Sequence, residues 1–265
     1  QLTSPRVQAF NKLYYKQQEL DEKIFKKSND LLIRSLRDHI YLTKAELKVI
    51  FEKAKIKTDD LRLTYIIINA ELEGIICSGP RKGKQFTYAL IDEKAPAVKP
   101  FIKEEALNKL GTRFFKTRGP ATIKDFTWWS SLTIKEANEG IATLDSKFIR
   151  ENIDGKEYIF YDGSMPDSKK TQSTFLMPDY DEYGISYKDR SIYHNPKAAG
   201  EVIEMRADYF HAIIADGYFA GTWDRKVIKD QPVVTVKLLK SLYKRQLEEI
   251  ERERSRYLKF FEYSS

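Results

Sequence analysis

One arrangement occurs twice in this 265-residue chain: two short amphipathic helices, a strand, a tight turn and a second strand. The first copy opens at Thr43-Lys-Ala-Glu46, where a threonine hydroxyl and a glutamate three residues on can satisfy orphan helix amides reciprocally. Leu47, Ile50, Phe51 and Ala54 follow at helical spacing. Thr58-Asp59-Asp60 sets a hydroxyl and two acids where a helix N-terminus favours them, predicting a second helix from Leu61 to Glu73 that Gly74 stops. Strand-like Ile75-Ile76-Cys77 and Gln85 to Leu90 then flank the turn Ser78-Gly-Pro-Arg-Lys-Gly-Lys84. The second copy repeats the order with caps at Thr122-Ile-Lys-Asp125 and Thr133-Ile-Lys-Glu136. Its strands, Phe148 to Ile153 and Lys156 to Tyr161, surround Asp154-Gly155, a strong type I′ hairpin signal.

Helix, helix, hairpin is the order of a winged-helix unit, and a tandem pair on a basic chain points first to nucleic acid. Helical spacing also predicts helices at 5–19, from Asp21 to Leu36 and from Lys103 to Arg118. A polar linker runs from Gly163 to Ser173. Beyond it, strand-like segments at His211 to Ala215, Tyr218 to Asp224 and Pro232 to Leu238 imply a small antiparallel sheet, its first turn at Asp216-Gly217. A helix from about Leu238 to Phe261 closes the chain, with Leu247, Ile250, Tyr257, Leu258 and Phe261 as its buried stripe. Glu248 to Arg252, Glu251 to Arg254 and Glu253 to Arg256 are its expected ion pairs. The expected class is therefore α+β: tandem winged-helix units, a small antiparallel β domain and a C-terminal helix. The boundaries are 21–92 and 100–162 for the two units and 174–265 for the β domain. The first residues, Gln1-Leu-Thr-Ser-Pro-Arg6, start a helix at once without a methionine. An upstream segment is expected, with 1–20 as the last helix of an earlier unit.

Composition limits the chemistry. Apolar residues make up 42% and aromatics 13%, enough for real cores. No run of about 18 apolar residues occurs, so no membrane partner is expected. Cys77 is the single cysteine, which excludes an internal disulfide and a thiolate zinc cluster and fits a reducing, cytoplasmic setting. His39, His194 and His211 lack metal-ligand spacing, so neither a metal nor another cofactor is expected. Of the net charge of +7, residues 1–90 carry nearly all, with 17 Lys/Arg against 11 Asp/Glu. A local positive field is what phosphate binding needs, since neutralising phosphates releases counterions.

The candidate contacts follow from this. Arg81, Lys82 and Lys84 project from one turn, where a wing would meet the sugar–phosphate backbone; an ordinary solvated hairpin is the plain alternative. The helix after Thr58 stands in the recognition position but is apolar, with Arg62, Thr64 and Asn69 alone suited to touching DNA. The second wing is nearly neutral and offers Lys156. Trp128 and Trp129 diverge by about a quarter turn on a helix, so one is core and the other, Trp128, is free to stack on a base, unless both serve packing. Asp179, Asp181, Glu182 and Asp189 put four carboxylates beside Arg190. Such a cluster suits acid/base work or a metal, or equally caps turns and holds a loop.

Three segment sets carry a family resemblance. They are Ala70-Glu-Leu-Glu-Gly-Ile-Ile-Cys-Ser-Gly79 with Lys84-Gln-Phe-Thr-Tyr-Ala-Leu90; Arg113-Phe-Phe with Gly119-Pro-Ala-Thr and Asp125-Phe-Thr-Trp-Trp-Ser-Ser-Leu132; and Asp181-Glu-Tyr with Tyr187-Lys-Asp-Arg-Ser191. On these the chain resembles the bacterial winged-helix DNA-binding family that includes the AlkZ-like DNA glycosylases. The resemblance implies three tandem winged-helix units curved around double-stranded DNA, then a small β domain. It also implies, in some members, removal of alkylated bases and unhooking of interstrand crosslinks. There a Gln-x-Gln motif in the first unit positions the attacking water. This chain has none, since Gln17 and Gln18 are adjacent and Gln172 stands alone, so no catalytic residue carries over. The expected function is duplex-DNA binding in repair, glycosylase-like, with the catalytic segment outside this chain. A non-enzymatic winged-helix regulator or architectural DNA binder is the alternative from another class, and a protein-binding role for the tandem units is a third.

Overall fold

The computed structural model describes residues 2–59, 61–95, 102–163, 174–193, 211–229, 231–239 and 242–264. Asp60, Gln172, His194 and most of the expected linker lie outside them. The chain is mixed α+β with antiparallel sheets. It divides into two compact units, 1–106 and 107–265.

In the first unit α1 (Ser4–Gln17) and α2 (Glu22–Leu36) precede the short strand β1 (Leu42–Thr43). Asp21 caps α2 by accepting the Ile24 amide at 2.8 Å. Helix α3 (Lys44–Lys53) starts on the capping box that its sequence encodes, with both Thr43 and Glu46 engaged. Helix α4 (Arg62–Leu72) departs from expectation at its start, because no side chain caps it. Thr58 donates instead to Glu52 at 2.9 Å, which ties the α3–α4 connection to α3. At the other end Gly74 takes φ +72°, the left-handed conformation a helix stop favours. Strands β2 (Ile76–Ser78) and β3 (Thr87–Leu90) complete an antiparallel sheet in the order β1-β3-β2, pairing Leu42 with Tyr88 and Cys77 with Ala89. One helical turn, α5 (Ile91–Lys94), follows. Leu32, Leu36, Leu47, Phe51, Ile66 and Ile76 form the core, to which α1 adds Tyr15, edge-on to Phe25.

The second unit takes up most of α6 (Lys103–Arg118) and continues with α7 (Ile123–Ser130), α8 (Ile134–Ile141), β4 (Phe148–Ile153) and β5 (Lys156–Tyr161). Both expected capping boxes form, at Thr122 and Thr133. Ala121 bridges to Ile159 in front of α7, and Phe114, Phe115 and Phe126 fill the space beneath. Gly140 lies so close to α6 that a Cβ there would stand 2.8 Å from the Leu107 carbonyl oxygen.

The rest of this unit is a sheet ordered β6-β7-β8-β9, formed by β6 (Thr174–Leu176), β7 (Ala212–Ala215), β8 (Tyr218–Ile228) and β9 (Gln231–Leu238). The turn α9 (Glu182–Ile185) lies between β6 and β7 in sequence. Helix α10 (Lys244–Ser264) seals the sheet, with Ile250 against Trp223 and Val234. It begins later than the sequence implies because Leu238 still pairs with Gly221 in β9. Leu247, expected in the buried stripe, is 41% exposed. The expected Glu248–Arg252 pair is replaced by Lys244–Glu248 and Glu249–Arg252, while the Glu251–Arg254 and Glu253–Arg256 pairs form.

Candidate nucleic-acid interface

Between β2 and β3 the chain makes a narrow, fully exposed finger from Pro80 to Phe86. Lys82 and Gln85 exchange both backbone hydrogen bonds at 3.1 Å, leaving Gly83-Lys84 as a two-residue turn. Gly83 takes φ +60° there, which a residue without Cβ adopts at no steric cost. No acidic residue occurs from Gly79 to Leu90. The Arg81 guanidinium lies over the Phe86 ring, 4.5 Å from its centroid. The Lys82 ammonium donates to Glu46 of the α3 capping box. That bond, ahead of those from the Thr43 amide and hydroxyl, pulls the Glu46 carboxyl from 4.5 down to about 2. Among the described residues Lys84 has no side-chain partner and points its charge to solvent. The three cations read from sequence are thus brought together, with Lys82 partly neutralised.

Arg62 and Asn69, also read as DNA contacts, are not on this surface. Arg62 is 6% exposed, and its guanidinium donates to the Gln18 and Lys57 carbonyls beside Glu19. Asn69 is 4% exposed on the same helix. The cause is the apolar character of α4, which packs on both α1 and α2 and carries its few polar groups inward with it. Thr64, the third candidate there, accepts a hydrogen bond from Lys44 at 2.7 Å. Little remains on α4 to read base edges.

In the second unit the segment from Asp181 to Ser191 is fastened along α7 and β5. Trp128 is 52% exposed, but its indole N–H donates to the Ile185 carbonyl at 2.9 Å and Arg190 stands over its ring. Trp129 packs on Phe114, lies under Arg118 and donates to Glu182 at 3.2 Å. Tyr187 donates to the Arg118 carbonyl, and the Lys188 amide donates to Asp125, each at 2.8 Å. Lys156, expected to meet phosphate, is paired to Asp189. The Lys156 hydrogen bond, helped by Ser191, holds the Asp189 carboxyl at about 2 instead of 3.8. The other acids of the cluster are tied up in the same way. Asp181 caps α9, Glu182 also bonds Arg118 and Ser186, and Asp179 lies 3.4 Å from His211. Holding a loop, the plainer of the two readings, is what these carboxylates do. Sequence separation hid the long-range pairs, because Arg118 lies 64 residues from Glu182 and Lys156 lies 33 from Asp189.

One exposed cationic tip escaped the sequence reading. Strand β8 runs past Asp224, and Arg225, Lys226, Val227, Ile228 and Lys229 are all exposed at its end. The alternation that marks a half-buried strand stops at Trp223, so the pattern gave no sign of the extension.

Among the described residues no group of three or more His, Cys, Asp or Glu is placed to hold a metal, and no helix is long and apolar enough to cross a membrane. The family described as DNA glycosylase AlkZ-like matches residues 2–260, and the chain belongs to that family. A search of curated protein sequences gave no match. Among solved structures the chain is similar to the Streptomyces sahachiroi DNA glycosylase AlkZ, with a TM-score of 0.67. That likeness covers 95% of this chain and 70% of the other at 17% identity, a likeness of fold.

Proposed function

We propose that this chain binds double-stranded DNA through winged-helix units and works in DNA repair, serving the removal of alkylated bases from duplex. The observation that carries the proposal is the exposed, acid-free finger bearing Arg81, Lys82 and Lys84. Cations presented on one turn neutralise neighbouring phosphates without reading sequence. The winged-helix reading is supported by the order α2, β1, α3, α4, β2, β3 with β3 between its two neighbours. The α6–β5 stretch repeats it, with Ala121 in the place of the first strand. On this reading 21–92 and 100–162 are the two units and 174–265 the β domain.

The buried Arg62 and Asn69 favour a repair protein over a sequence-specific regulator. A base-excising protein needs shape and backbone contacts, whereas a regulator needs base-edge readers on α4. No Gln-x-Gln occurs in the chain, so no side chain is assigned to hydrolysis.

The test is duplex retardation across a salt series with the wild-type chain and an Arg81→Ala, Lys82→Ala, Lys84→Ala variant. Loss of these contacts should weaken binding at least tenfold and flatten the salt slope by roughly 2–3. Unchanged affinity and slope would remove the wing from the interface. Preference for duplex carrying an alkylated base over undamaged duplex, and release of that base, test the repair assignment.

A further inference from the structure

We propose that Phe86 is a base-stacking wedge, the ring that the finger presses between base pairs of the bound duplex. The proposal rests on the reading of the finger as a DNA-gripping element and deepens it.

Phe86 stands on the finger just before β3, one step beyond the strand whose Tyr88 and Leu90 join the core. Its ring is 66% exposed. Single exposed apolar residues are common on proteins, and this chain has others, such as Val49 and Leu61. The setting of Phe86 is different. One face of its ring is covered by the Arg81 guanidinium, which has no carboxylate partner among the described residues. Lys84 stands two residues away, and the stretch between Gly79 and Leu90 is free of acid. The ring is also held on a braced support: the Lys82–Gln85 bonds close the turn, and the Thr87 hydroxyl donates to the Pro80 carbonyl.

A flat apolar ring framed by cations at the end of a thin ribbon matches the chemistry of duplex DNA, phosphate outside and aromatic faces within. Phenylalanine wedges that enter the minor groove unstack a single base step and bend the duplex. Stacking on a base is tolerant of sequence, because every base has a π-face. That tolerance agrees with an α4 that offers little to read base edges, its Arg62 and Asn69 being buried.

The experiment uses a short duplex with 2-aminopurine at several steps of one strand, whose fluorescence rises on unstacking. Retardation is recorded in parallel for the wild-type chain, Phe86→Ala and Phe86→Trp. Because the ring is exposed, the alanine variant should fold as the wild type does. Wild type should retard the duplex and raise the fluorescence. Phe86→Ala should abolish the rise and weaken binding roughly tenfold, and Phe86→Trp should keep both. Retardation with no fluorescence rise, or a rise that survives in Phe86→Ala, overturns the wedge while leaving the finger's phosphate grip intact. Absence of retardation by wild type at low salt overturns both.

Discussion

The Lys156 ammonium and the Asp189 carboxylate are hydrogen-bonded partners, joining β5 to the segment that follows α9. A cation that stands on a hairpin turn, and reads from sequence as a phosphate contact, is therefore half of an internal clamp. The same segment contributes Ile185, Glu182 and Lys188 to the α7 side of the unit, so the pair is one fastening among several.

The Asp189 carboxyl is depressed, so its contribution to stability is present above its ordinary value of 3.8 and is lost as pH falls through about 2. Carboxyl-carbon NMR titration should give a midpoint near 2, and Asp189→Asn should remove this contribution to the acid limb of unfolding. A midpoint near 3.8 would show the clamp open in solution.

Glu46 should respond to Lys82 and to Thr43 separately. With Lys82→Ala its midpoint should rise from about 2 but stay below 4.5, because the Thr43 amide and hydroxyl still donate to it. Glu46→Gln should release Lys82 and steepen the salt slope of duplex binding by up to about one. No change in slope would mean that Lys82 reaches phosphate without leaving Glu46, or not at all.

Arg62 should matter for stability and not for DNA. Arg62→Ala removes a buried guanidinium and its bonds to the Gln18 and Lys57 carbonyls, and should cost roughly 1–2 kcal/mol in denaturant unfolding. Duplex affinity of the folded variant should match wild type. A selective loss of affinity would restore Arg62 to the interface.

Glu182 gathers Arg118, Trp129 and Ser186 on one carboxylate oxygen. Its side chain is 54% exposed, so solvent screening limits the loss in Glu182→Ala to about 1 kcal/mol. The measurement is the denaturant midpoint, with Trp129 emission reporting the local change. A red shift of that emission is expected as the indole loses its acceptor.

Gly140→Ala should destabilise by about 1–3 kcal/mol, because its new methyl would meet the Leu107 carbonyl oxygen, a backbone atom unable to step aside. Calorimetry against Gly155→Ala separates this from backbone strain, since at Gly155 φ is +74° but the space is open.

Local chemistry wrote much of this fold into the chain. The capping boxes at Thr43, Thr122 and Thr133 each sit where a hydroxyl residue precedes an acid by three positions, and Asp154-Gly155 fixed the register of β4 on β5 to the residue. Such features act over a few residues, so sequence alone determines them. It also placed Arg81, Lys82 and Lys84 on one exposed turn. What the tertiary structure decided was which charges remain available. Arg62 and Lys156 look as cationic in sequence as Lys84 does. One is drawn under α1 to cap carbonyls, and the other meets a carboxylate 33 residues away. Packing and long-range pairing are set by which surfaces meet, and a linear reading holds no distance between them.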